Sequence, residues 1–242
     1  MTPVLNEENF CRLAKPIIER HNCSYAEALG ILAKLQLNLV CDESIKYSAA
    51  SQAALLTAVN CGKRAFHGGV SVLMPPQVAC LVPWPEKLNL NEIVFKLGAQ
   101  LKEPLHSEFS HTLYFGTFQN TVVDGLAIHC TGWRGGVSPA DMPISLRGES
   151  DFALGGILAG ALGVAKGFLR VSGLSSRFVD TPQGVSLWSS EPTSAKSPMS
   201  GRSERKRVSE CLEESPHRLA RSFRARKSWD VSRRRVWLAG GG

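Results

Sequence analysis

The sequence lacks a hydrophobic run long enough to cross a membrane. Its longest uncharged apolar stretch runs from Phe152 to Ala165 and is ended by Lys166, which is short of the roughly 20 residues that a spanning helix needs. The first residues, Met1–Glu8, lack the basic and apolar regions of a secretory signal. These absences predict a soluble, cytoplasmic protein with no membrane partner.

The sequence also lacks paired cysteines. Zinc sites repeat paired ligands at short spacing. Two groups could be considered, His111 with His129 and Cys130, and Cys61 with His67, but neither group shows that repeated spacing. We therefore expect no metal ligands. Cys61 and Cys130 have no recognisable orienting group or oxyanion donors, so no catalytic residue is predicted. We expect reduced thiols at all seven cysteines: Cys11, Cys23, Cys41, Cys61, Cys80, Cys130 and Cys211.

Excess positive charge is absent from most of the chain. Residues 196–242 hold 13 of the 28 Lys and Arg but only 5 of the 21 Asp and Glu, which leaves +8 there and −1 in the remainder. This segment has few apolar residues, so 191–242 is predicted to be a disordered basic tail. Its runs Arg205–Arg207 and Arg233–Arg235 are typical of nucleic-acid-binding arms, and its Arg- and Ser-rich composition also resembles out-of-frame translation.

Helical periodicity dominates the first 65 residues. A helix is predicted over about Glu7–His21, kinked or split at Pro16, and a second begins at Ser24, where Ser24 and Glu27 form a capping box. A third is predicted over about Ser51–Lys63, closed by Gly62. Further along, Asn89 or Asn91 is expected to cap a short helix that ends near Gly98.

Strand-like segments follow residue 65. Alternation at Val70, Val72 and Met74 predicts one strand, and Val78–Val82 predicts a second. The β-rich segments His111–Phe118 and Thr121–Thr131 are separated by so few residues that a hairpin is expected. Val185–Trp188 is predicted to be the last strand. Because helices and strands alternate, the fold class is α/β.

A helix rich in glycine is predicted from Phe152 to about Val171, capped by Asp151 and closed by Gly173. Each glycine costs a helix about 1 kcal/mol relative to alanine, so something must pack very closely against it: a sheet face, or a second subunit in a homodimer. Gly156, Gly160 and Gly163 are the predicted close-packing positions. A dinucleotide loop is not predicted, because the order of glycines differs from G-x-G-x-x-G and no strand precedes them.

The segment Trp133–Pro139 is predicted to be a loop. Gly135 and Gly136 permit close approach of a ligand or another backbone, and Arg134 beside Trp133 could hold a phosphate or carboxylate. A tight turn with a solvated arginine is the plainer interpretation. Use of this loop by a small-molecule enzyme is a third functional hypothesis.

Several segments, in order, resemble one known family, the N-terminal region of bacterial ThiF-type, E1-like proteins, over about residues 20–190. They are Ala53–Gly62, Gly68–Val72, Val82–Pro85, Gly132–Pro139, the helix Leu154–Val171, and Gly184–Trp188. The resemblance implies that a domain binding ATP and Mg²⁺ follows this region in intact relatives, and that a ubiquitin-like or E2-like protein is a partner.

The chain departs from that family pattern beyond Trp188, where an apolar strand and G-x-G-x-x-G are expected and a basic segment stands instead. The resemblance therefore implies a truncated, frame-shifted member with no family catalytic residue and no cofactor of its own. We predict one α/β domain over 1–190, with N-terminal helices and then a mixed sheet carrying the glycine-rich helix. Its predicted function is that of a non-catalytic scaffold; a nucleic-acid-binding protein is the alternative.

Overall fold

A mixed sheet forms the centre of the fold, as the sequence predicts. The computed structural model describes residues 7–116, 124–142, 144, 146, 150–174 and 180–188, with the backbone alone for 7–11. All of these belong to one compact unit, Met1–Lys196. The predicted basic tail, 191–242, lies outside the described residues.

Seven strands pair in the described part of the chain. Their order is β3-β2-β1-β4-β5-β6-β7; the first five are mutually parallel, and β6 and β7 are antiparallel to their neighbours. The chain therefore builds outward from β1 to β3 and then crosses to β4, which is the order of a doubly wound sheet. The strands are β1 (Gln36–Cys41), β2 (Gly69–Leu73), β3 (Gln100–Leu101), β4 (Ser110–Phe115), β5 (Leu126–Thr131), β6 (Arg134–Pro139) and β7 (Gln183–Ser186).

The described helices are α1 (Glu7–His21), α2 (Tyr25–Leu32), α3 (Ala49–Ala65), α4 (Leu90–Lys96) and α5 (Ala153–Val171), with a 3₁₀ turn at Glu43–Lys46. The capping box at Ser24 is confirmed, because the Glu27 amide donates to Ser24 Oγ and the Ser24 amide donates to Glu27 Oε2. Asn89 caps α4 in the same way.

Two helix predictions are wrong in detail. Of the kink or split predicted at Pro16, the split is wrong, because α1 continues across Pro16; Ala14 and Ile17 on either side of it are fully buried. Gly62 does not close α3 but lies inside it, where a Cβ would approach Leu37 Cδ2 to 2.7 Å. Helix α3 starts at Ala49, earlier than predicted.

The predicted strand Val78–Val82 is a loop held by side chains. The Val78 amide donates to Asn91 Oδ1 at 3.0 Å, and the Leu81 amide donates to Gln52 Oε1 at 2.7 Å. The buried Gln52 also donates from Nε2 to the Ala79 and Ile45 carbonyls. Buried backbone groups need partners, and here side-chain amides satisfy them without strand pairing.

The predicted hairpin is also wrong. Strands β4 and β5 run parallel, with Leu113 opposite Leu126, and the predicted residues between them lie partly outside those described. The hairpin joins β5 to β6 instead, through Gly132, whose φ is +53°. The segment predicted as a loop, Trp133–Pro139, is therefore mostly strand β6. Similarly, β7 begins two residues before the predicted Val185.

Helix α5 packs against α3 on one side and the sheet on the other. A Cβ on Gly156 would overlap the Ala50 carbonyl oxygen, and one on Gly160 would overlap that of Ala54. On the sheet side, a Cβ on Gly163 would lie 2.5 Å from Ile128 Cδ1. Because Gly156 and Gly160 have no side chains, the backbone of α5 can lie directly against the backbone of α3. Among the described helices, α5 is long and apolar enough to cross a membrane, but half of that stretch is buried inside the domain.

Two buried histidines lie beside this layer. His111, on β4, is covered by Gly167 of α5 and is 3% exposed; His129, on β5, meets Ser138 Oγ at 2.8 Å. Burial lowers the pKa of His111 to about 4, with the Arg170 guanidinium acting in the same direction. Burial alone lowers the pKa of His129 to about 4. Both are neutral in the folded protein near pH 7.

Gly156→Ala should destabilise the fold by roughly 1–3 kcal/mol, because the overlap with the α3 backbone outweighs the gain in helix propensity. Gly30→Ala is the matched control, since a Cβ at Gly30 of α2 meets nothing within 4 Å. It should stabilise the fold by up to about 1 kcal/mol. Urea unfolding of both variants gives the comparison, and an equally stable Gly156→Ala would contradict the packing described.

The two histidines predict a loss of stability in acid. Each has a folded pKa of about 4 against an ordinary 6.5, so its contribution is complete above pH 6.5 and is lost as the pH falls toward 4. For His111 the loss is about 3 kcal/mol. The slope of unfolding free energy against pH between pH 6.5 and 4 reports the number of protons taken up on unfolding, and His111→Phe should lower that number by about one. An unchanged slope would show that His111 does not contribute.

Candidate nucleotide site

The carboxyl ends of β1 and β4 meet where the strand order reverses. In doubly wound sheets, ligands bind in this crevice, and the phosphates of a dinucleotide lie on a glycine-rich turn at the N-terminus of the next helix. In this chain the turn after β1 is Asp42–Ser48, which contains no glycine, and the next α-helix is α3. What occupies this edge decides whether the fold can hold a nucleotide.

Asp42 occupies the space between the ends of β1 and β4. Its Oδ1 accepts from the Ser44 amide at 2.9 Å and from Ser44 Oγ at 2.5 Å, which begins the 3₁₀ turn. A Cβ on Gly116, directly after β4, would overlap the Asp42 carboxylate. Gly116 has a φ of +131°, a conformation that favours glycine. The chain therefore places a carboxylate where a ligand would enter.

Asp151 occupies the N-terminus of α3. Its Oδ2 accepts from the Ala49 amide at 2.6 Å, and its Oδ1 accepts from the Ala50 amide and from Ser48 Oγ, both at 2.8 Å. The prediction that Asp151 caps its own helix is wrong, since α5 begins after Phe152 and has no side-chain cap. Helix N-termini favour anions, and this one is served by a carboxylate from the same chain.

These two carboxylates do not fit a triphosphate. The first amides of α3 already donate to Asp151, and phosphate oxygens approaching either carboxylate would meet like charge. Asp42 Oδ1 and both carboxylate oxygens of Asp151 accept hydrogen bonds from N–H and O–H groups of the chain. No three His, Cys, Asp or Glu residues converge as metal ligands in the described part of the chain.

A cavity of about 500 Å³ lies elsewhere, at the carboxyl ends of β2 and β3. Its walls are largely apolar and include Leu88, Phe95 and Leu101. The cation in its wall, Lys96, forms an ion pair with Glu86. This cavity therefore offers an apolar surface and a neutralised cation, a combination that suits apolar groups better than phosphates.

The four predicted binding residues do not line one loop. Trp133 lies in the β5–β6 turn, half-exposed, with its ring 4.5 Å from that of Phe152 and 5.7 Å from that of Trp188. Arg134 begins β6 and is half-buried. Gly135 lies under α5, where a Cβ would overlap the Gly155 carbonyl, and Gly136 faces the Gln183 carbonyl of β7. Ligand binding by these residues stays a prediction.

Sequence reasoning missed the roles that the two aspartates have in the crevice. Asp42 follows a strand and precedes Ser44, a local signal typical of a turn or cap. No local signal links Asp151 to α3, because its partners lie about a hundred residues earlier in the chain.

Comparison with known proteins gives concordant results. The family model for the BilD N-terminal domain matches residues 36–187, which span the sheet from the first residue of β1 to just past β7. The bacterial E1-like protein BilD of Collimonas sp. (strain OK412) is 29% identical over 191 residues, which cover 78% of this chain and 41% of that relative. The chain thus spans less than half the length of the curated relative.

The matched region contains the whole described sheet, helices α3 to α5, and both aspartates of the crevice. It agrees with the resemblance seen in the sequence. The chain belongs to the BilD N-terminal domain family of E1-like proteins.

Proposed function

We propose that this chain is a non-catalytic scaffold region of an E1-like modifier-activation system. The observation that supports this proposal best is the Asp151 carboxylate at the N-terminus of α3, with Asp42 beside β4. A doubly wound sheet normally uses that helix N-terminus to bind phosphate. Here the same amides serve a carboxylate of the chain, so adenylation would take place on another domain.

A scaffold of this kind would act by binding proteins. The Collimonas relative is a bacterial E1-like protein, and on that basis we propose that a ubiquitin-like or E2-like protein is the partner of this chain. The cavity beside α4 is compatible with protein recognition, because apolar side chains line part of it and the Lys96 ammonium in its wall is paired with Glu86.

The purified chain should neither bind ATP nor exchange pyrophosphate. We expect no saturable heat on titration with Mg²⁺-ATP and no exchange above a protein-free blank, because the amides of Ala49 and Ala50 are already paired. Saturable binding with a Kd below about 1 mM, a common upper limit for enzyme substrates, would overturn the proposal. If a weak binding signal is seen, the unsubstituted chain should be compared with the double variant Asp42→Asn, Asp151→Asn, which lacks both negative charges.

Removal of the Asp151 cap should be costly and should create a response to anions. Asp151→Ala should lower the free energy of unfolding by about 1–2 kcal/mol, because two helix amides and a hydroxyl lose their acceptor. Inorganic phosphate should then raise the melting temperature of Asp151→Ala more than that of the unsubstituted chain.

The control is Asp141→Ala, since Asp141 is an exposed carboxylate in the turn after β6. It should leave the stability and the phosphate response as they are in the unsubstituted chain. An Asp151→Ala variant of full stability, or an equal phosphate effect on all three proteins, would contradict the role assigned to Asp151.

A further inference from the structure

Strand β3 forms one edge of the sheet. Among the described strands it has a neighbour on one side only, β2, and both of its residues are exposed. The Lys102 amide donates to the Val72 carbonyl at 3.2 Å, so the backbone groups of Lys102 face β2. Successive residues of a strand point their N–H and C=O groups to alternate sides. The N–H and C=O of Leu101 therefore face away from β2, toward the open edge.

The cavity of about 500 Å³ lies directly beside this edge. Leu101 is one of its lining residues and is 44% exposed, and Phe95 of α4, which also lines it, is 68% exposed. Residues opposite each other on adjacent strands place their side chains on the same face of the sheet, about 5 Å apart. A residue paired opposite Leu101 would thus place its side chain next to that of Leu101, in the cavity. This holds for a parallel and for an antiparallel segment.

Four of the five polar residues in the cavity wall are engaged with the protein itself. Asn91 binds the backbone of residues 75 and 78 through both atoms of its amide group. Asn89 and Glu92 form the capping box of α4, and Lys96 is ion-paired. The apolar part of the wall is formed by Pro76, Leu88, Phe95 and Leu101. An uncharged apolar side chain therefore suits this cavity better than a charged one, whose desolvation nothing in the wall would offset.

We propose that the β3 edge and this cavity together bind an extended segment of a partner protein. The segment pairs with the backbone of Leu101 and places one uncharged apolar side chain, of about the size of leucine, in the cavity. An extended backbone presents a donor and an acceptor at the spacing of the Leu101 N–H and C=O, as in other cases of strand addition, and the cavity selects the side chain.

This inference deepens the scaffold proposal and rests on it for the kind of partner. Its test uses no nucleotide. Failure of peptide binding would leave the closed crevice as it is, and binding of ATP would leave the β3 edge as it is, so the two proposals fail separately.

The residues after Leu101 keep the pairing short. Strand β3 has only two residues, and Lys102 and Pro104 follow them. Lysine and proline are typical of edge strands that avoid unselective pairing. Backbone hydrogen bonds alone would therefore bind a segment weakly, and the side chain in the cavity would decide which segments bind.

The probe is the peptide acetyl-Ser-Thr-Ser-Leu-Ser-Thr-Ser-amide, titrated into the full chain and followed by NMR. We expect a saturable shift of the Leu101 amide resonance with a Kd below about 1 mM. A peptide with serine in place of leucine should bind about tenfold more weakly, because the apolar side chain is lost. A peptide N-methylated at the leucine and at the next residue cannot donate to the Leu101 carbonyl in either orientation, and should bind at least about threefold more weakly.

Substitutions in the chain separate the backbone from the side chain. Leu101→Pro removes the N–H that faces the open edge, at a position where edge strands tolerate proline, and Leu101→Ala is its matched control for the lost side chain. Leu101→Pro should bind the leucine peptide at least about threefold more weakly than Leu101→Ala does. Phe95→Ser should weaken binding about tenfold. Trp188→Ser should leave it unchanged, because Trp188 is 80% exposed after β7, at the opposite edge of the sheet.

Circular dichroism establishes that each variant is folded, and the N-methylated peptide makes the same test on the unsubstituted chain if Leu101→Pro is not. Absence of saturable binding below about 1 mM, or equal binding of the leucine and serine peptides, would overturn the proposal. Equal binding of the N-methylated peptide, or equal binding by Leu101→Pro and Leu101→Ala, would also overturn it, because the ligand would then use the cavity without pairing with β3.

Discussion

The contact between helices α3 and α5 is the constraint on which the rest of this structure depends. Gly156 and Gly160 let the two backbones meet at Ala50 and Ala54, and Asp151, just before α5, accepts hydrogen bonds from the first amides of α3. The same segment thus packs the helix layer onto the sheet and caps its neighbour. The contact of Gly156 with Ala50 and the hydrogen bonds of Asp151 both involve the first turn of α3.

The fold of this chain is one that commonly binds nucleotides, but the residues at the usual binding position are different here. The strand order and the parallel core are those of a sheet that can bind a nucleotide at its switch point. The residues at that point are two carboxylates engaged with backbone amides and hydroxyls of the chain. A fold is compatible with many functions, and the site residues decide among them; the scaffold function proposed above rests on these residues.

Local signals in the sequence predicted a good part of the fold. The capping box at Ser24 and the apolar spacing after it were sufficient to predict helix α2, because hydrogen bonds within four residues determine where it starts. The abundance of glycine in α5 predicted a very close neighbour for physical reasons. The sequence could not identify that neighbour, since α3 lies about a hundred residues earlier.

The errors arose where distant groups override local preference. Val78–Val82 looks like a strand, but the side chains of Gln52 and Asn91 bind its backbone. Gly135 and Gly136 look like a loop, but helix α5 above them and β7 beside them require residues without side chains in a strand. Asp151 looks like a cap for the helix that follows it, and only the fold shows that it caps another.

The most direct measurement of the central claim is the NMR amide resonances of Ser44, Ala49 and Ala50 during titration with Mg²⁺-ATP. If the two aspartates close the crevice, these three resonances will stay where they are at millimolar nucleotide. Saturable shifts at Ala49 and Ala50, the amides that a phosphate would bind, would contradict the account.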